Sequence, residues 1–67
     1  MQVKAKENFK TIRVTKGYSI QGLARVMGVN ASVVFHIEKG NAIRPETAKK
    51  ACIALEEAFD TLFIIRD

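Results

Sequence analysis

With 67 residues the chain has room for one small domain, residues 1–67, and no second one. A composition of 48% hydrophobic and 27% charged residues suits a packed core rather than disorder, while a lone cysteine and a lone histidine exclude an internal disulfide and a tetrahedral zinc site. The net charge of +4 is concentrated at the front, where Lys4, Lys6, Lys10, Arg13 and Lys16 face only Glu7, and this suits a polyanionic partner. No apolar run approaches the length of a membrane span and the start has no apolar signal region, so a reducing, cytoplasmic setting is expected.

In chain order, Met1, Val3 and Ala5 alternate with Gln2, Lys4 and Lys6, a strand signal, and the end of the chain from Phe63 to Arg66 is rich in β-formers. Two arrangements fit: the ends pair as short strands, or the start frays and the tail stays helical. Glu7 to Lys16 reads as a first helix with Phe9 and Ile12 inward, closed by Gly17. Ser19 is placed to cap a second helix, Ile20 to Met27, whose inner side is Leu23, Ala24 and Met27 and whose end is Gly28. Asn30 is the next cap candidate, opening a third helix from Ala31 to about Lys39 with Val34 and Ile37 inward and Gly40 at its close. After a loop, Asn41 to Arg44, Pro45 sits well at a first helical position. From Glu46 onward Ala51, Leu55, Ala58 and Leu62 recur at helical steps, and a break near Glu56 is left open.

The informative unit is Ser19 to Gly40. Two short helices separated by about three residues must turn sharply, as in a helix-turn-helix. Ala24 is small where the helices cross, Gly28 supplies the positive φ of the turn, and Val34 and Ile37 lock the second helix onto the first. The run G-Y-S-I-Q-G-L-A-R-V-M-G-V-N-A-S-V-V-F-H-I-E-K-G, Gly17 to Gly40, resembles the Cro/C1-type helix-turn-helix pattern G-L-S-Q-x-E-L-A-x-x-x-G-V-S-x-x-x-I-S-x-I-E-x-G. Upstream F-K-T-I-R is similar to that family's first-helix L-x-x-L-R, and P-E-T-A-K-K and F-D-T-L-F are similar to its closing helices. Ile20 and Gly22 depart from the Gln and Glu usual at their positions.

The resemblance implies an all-α fold, a lambda repressor-like bundle of about five short helices, in which Ala31 to Lys39 enters the major groove of double-stranded DNA. It implies base contacts from Ala31, Ser32, Phe35 and His36, and phosphate contacts from Gln21, Arg25, Lys39, Asn41 and Arg44. It also implies an ion pair between Arg13 and Glu38, a repressor or antitoxin role, and a homodimer, because one helix contacts too few base pairs to specify a site. Alanine, valine and phenylalanine side chains make no hydrogen bonds, so thymine methyls and groove shape are the expected targets, with Ser32 and His36 as the polar readers. A protein-interaction module that keeps the fold without reading DNA is the alternative, with Phe35 beside Val33 and the tail Leu62 to Ile65 as its surfaces. Nothing in the sequence assembles a nucleophile with its base, a metal cluster or a phosphate-cradling loop, so neither an enzyme nor a cofactor is expected. Cys52, among Ala51, Ile53, Ala54 and Leu55, reads as a packing thiol and not a redox sensor.

Overall fold

Ser19, Gly28 and Pro45 divide the chain where their local chemistry predicts, and the core decides the remaining boundaries. The computed structural model describes residues 1–67. Its elements are β1 (Gln2–Ala5), α1 (Phe9–Thr15), α2 (Ile20–Met27), α3 (Ala31–Glu38), α4 (Pro45–Leu55), α5 (Phe59–Leu62) and β2 (Phe63–Arg66). Five helices thus enclose one core, and the chain ends pair as a short antiparallel sheet with Val3 opposite Ile65 and Ala5 opposite Phe63. On its other side β1 bridges to Ile43 in the loop before α4.

Phe9, Leu23, Val34, Ile37, Leu55, Leu62 and Phe63 are fully buried, so every helix and the closing strand contribute to the same interior. Phe63 is its aromatic centre, with ring centroids 5.7 Å from Phe9 and 5.6 Å from Phe59. Such tilted pairs add about 0.5–1.5 kcal/mol each beyond the area they bury. The sequence reading of the tail Leu62 to Ile65 as an exposed surface is therefore corrected for Leu62 and Phe63, which are buried: only Ile64 and Ile65 remain outside.

One helix start differs from the sequence reading, one cap sits where expected without its side-chain bond, and the break left open near Glu56 is decided. α1 starts at Phe9 instead of Glu7, because the residues before it are engaged with α5: the Lys6 ammonium donates to the Asp60 carbonyl and Asn8 Nδ2 donates to the Thr61 carbonyl at 3.2 Å. Asn30 occupies the N-cap of α3 without a side-chain hydrogen bond, so the cap is positional only. The helix from Pro45 ends at Leu55, with Glu56 in the left-handed region at φ 55° and ψ 45°. An uninterrupted helix would run Leu62 out along the α4 axis, and Ala58, placed on the inner stripe by periodicity, is in fact exposed. A left-handed residue other than glycine costs about 1–2 kcal/mol, whereas burying Leu62 and Phe63 returns about 1.5–3 kcal/mol each. The break wins.

Candidate nucleic-acid interface

The Ser19 hydroxyl accepts the Gly22 backbone N–H at 2.9 Å, which satisfies one of the unpaired amides at the start of α2. A Cβ at Gly22 would lie 3.1 Å from Ser19 Oγ, a tight contact that a shift of the hydroxyl by a few tenths of an ångström relieves. At the other end of α2, Gly28 adopts φ 74°, a conformation that side chains bearing a Cβ disfavour, and the chain turns through 114° into α3. Ala24, 3% exposed, permits the close crossing, and Val34 and Ile37 seat α3 against α2.

With Val34 and Ile37 inward, the 100° step per residue puts Ser32, Phe35, His36 and Lys39 on the opposite side of α3, and all four are exposed. Three of the row are in contact: the Lys39 ammonium lies 5.3 Å from the Phe35 ring centroid, and the Phe35 and His36 rings meet edge to face at 6.1 Å. Asn41 Nδ2 lies 3.1 Å from His36 Nδ1. Ala31 sits apart from this row, half-buried against the core cluster, so its methyl group has less surface to offer a base than the sequence suggested. Gln21 and Arg25 are exposed on α2, and Arg44 is exposed at the N-cap of α4.

The row is fixed to the scaffold from below. Arg13 of α1 and Glu38 at the end of α3 form a bidentate pair, with Nη2 to Oε1 at 3.2 Å, and the side chains are 7% and 11% exposed. Arg13 Nη1 also donates to the Tyr18 carbonyl at 2.8 Å, so one guanidinium ties α1, the α1–α2 turn and α3 together. Of the basic front of the sequence, Arg13 is buried against Glu38, while Lys16 meets Glu57 at 3.0 Å and Lys6 meets the Asp60 carbonyl at the surface.

Sequence reasoning missed the contact between Asn41 and His36. Its signal was present in Gly40, because a glycine closing a helix returns the following residue over the helix's last turn. Cys52 is half-buried, and desolvation raises its thiol pKa, which disfavours the reactive thiolate. No three His, Cys, Asp or Glu side chains come together as a metal ion would need, and no single helix is long and apolar enough to cross a membrane.

A helix-turn-helix family model matches residues 9–62, which takes in all five helices. No curated protein matches the chain.

Proposed function

The chain belongs to the Cro/C1-type helix-turn-helix family of DNA-binding regulators, and we propose that it is a sequence-reading repressor that inserts α3 into the major groove of double-stranded DNA. The observation that carries this reading is the exposed row Ser32, Phe35, His36 and Lys39 on a helix whose opposite side is fully packed. Phe35, 49% exposed, offers an apolar surface to thymine methyl groups, and Ser32 and His36 offer hydrogen bonds. Arg25 and Arg44, with Gln21, flank the row as phosphate contacts that set register without reading sequence. The family's occurrence in phages, mobile elements and toxin–antitoxin operons supports a repressor or antitoxin role in the bacterial cytoplasm.

Selection of bound sequences from a random DNA pool tests the reading. No arginine lies on the row to grip guanine, so the enriched sites are expected to be rich in A·T pairs. A consensus dominated by G·C would mean that other side chains enter the groove. No enrichment at all would favour a protein-interaction module instead. One observation speaks for that second reading: Val26 and Ile53, 54% and 67% exposed, line one cleft of about 370 Å³ between α2 and α4. The surface that the sequence suggested for it is smaller than expected, because Val33 is half-buried and only Phe35 stands out.

The proposal includes a homodimer on paired half-sites about one helical turn apart. β1 is flanked by β2 and by Ile43, which leaves β2 as the open edge of the sheet, with Ile64 and Ile65 39% and 52% exposed. Sedimentation is expected to find a dimer for the wild type and a monomer for the Ile64→Ser, Ile65→Ser double variant, which leaves the buried Phe63 intact. A wild type that is monomeric at about 10–100 μM, the range of weak association, would mean that pairing occurs only on DNA.

A further inference from the structure

The end of α3 folds back over its own last turn. Gly40 takes φ 83°, its N–H donates to the Ile37 carbonyl at 3.0 Å, and the Asn41 N–H donates to the His36 carbonyl at 3.2 Å. This is the pairing by which a left-handed glycine closes a helix and places the following residue beside the helix's final turn. Asn41 is thereby anchored to His36 through the backbone before its side chain makes any contact.

The side chain then makes one, from Nδ2 to Nδ1 of His36 at 3.1 Å. An amide nitrogen only donates, so Nδ1 accepts, and a neutral imidazole that accepts at Nδ1 carries its proton on Nε2. The Phe35 ring lies edge to face with the imidazole, their centroids 6.1 Å apart. We propose that Asn41 is a positioning residue that fixes the tautomer and orientation of His36, so that His36 presents an Nε2–H donor to the major groove and selects a base-edge acceptor. The acceptors available there are purine N7, guanine O6 and thymine O4; the amino groups of cytosine and adenine are donors and are refused. This assignment rests on the reading that α3 lies in the groove. It replaces the phosphate contact expected of Asn41 from sequence.

Two measurements test it. Nitrogen-15 spectra of the imidazole, taken without DNA at about pH 8, above the ordinary histidine range, are expected to show His36 protonated at Nε2 and bare at Nδ1. The Nδ1 resonance should move in Asn41→Ala while Nε2 stays nearly in place. A proton on Nδ1, or an Nδ1 signal indifferent to Asn41→Ala, would overturn the assignment. With DNA, His36→Ala and Asn41→Ala should erase the preference at the same single base pair, each by about fivefold or more, the lower end for one base contact. Where a purine occupies that position, 7-deaza substitution should cost the wild type a similar factor and cost His36→Ala little. If Asn41→Ala instead lowers affinity equally at every site and leaves the preference intact, Asn41 is a phosphate contact and the proposal fails. Absence of any enriched site for the wild type removes the groove reading and the base-reading half of the proposal with it, while the nitrogen spectra still decide whether Asn41 holds the ring.

Discussion

Replacing Glu38 by alanine is expected to cost the folded state about 3–5 kcal/mol, because it leaves the Arg13 guanidinium buried with its bidentate partner gone. One hydrogen bond, to the Tyr18 carbonyl, is all that the structure leaves it. At roughly 0.05–0.15 kcal/mol per residue, a domain of this size has about 3–10 kcal/mol in total. The variant should therefore lose about a third or more of the domain's stability, and denaturant melts should show a pronounced shift of the midpoint. Glu57→Ala is the internal control. Its pair with Lys16 spans 3.0 Å with both side chains about a third exposed, and surface pairs contribute only about 0–1 kcal/mol. If Glu38→Ala shifted stability by less than about 0.5 kcal/mol, like an ordinary surface change, the Arg13–Glu38 pair would not be the fastening that holds α3 to the scaffold.

The second large effect concerns salt. A protein that neutralises phosphates releases condensed cations, so the logarithm of its affinity falls with the logarithm of salt concentration by about 0.9 per phosphate neutralised. Arg25→Ala, Lys39→Ala and Arg44→Ala are each expected to flatten that slope by about one unit. Lys39 is the informative member, because its ammonium rests over Phe35 on the row that faces the bases. A loss of sequence preference together with the flattened slope would place it among the readers, and a flattened slope alone would place it on the backbone. Gln21→Ala carries no charge change and should weaken binding at all sites without altering the slope. Ser32→Ala and His36→Ala should do the reverse of a phosphate contact, losing about 1–3 kcal/mol of discrimination with the slope unchanged. Binding that is steep in salt yet indifferent to Ser32, Phe35 and His36 would leave a non-specific DNA binder. No measurable binding at about 50 mM salt, where the electrostatic contribution is strong, would end the DNA reading altogether.

The sequence by itself determined the features whose cause is local. Ser19 caps because its hydroxyl meets an amide three residues on. Gly28 turns because nothing with a Cβ takes φ 74° cheaply. The family resemblance named Ala31, Ser32, Phe35 and His36 as base contacts, and helical periodicity, with Val34 and Ile37 inward, accounts for the exposure of the last three. The pairing of Arg13 with Glu38, 25 residues apart, came from the family resemblance, not from local chemistry. Only the tertiary structure decided what depends on competition between distant groups. Glu56 breaks a helix that local propensity would have continued, because Leu62 and Phe63 gain more by returning to Phe9 than the left-handed turn costs. The chain ends pair as strands because that same return places residues 63–66 alongside β1. Lys6, Arg13 and Lys16 carry charge in the sequence but are engaged within the fold. Asn41, which the sequence pattern assigned to a phosphate, lies against His36 because a left-handed Gly40 bends the backbone there; residue type specifies what a side chain can bond to, and the path of the chain selects which partner it meets.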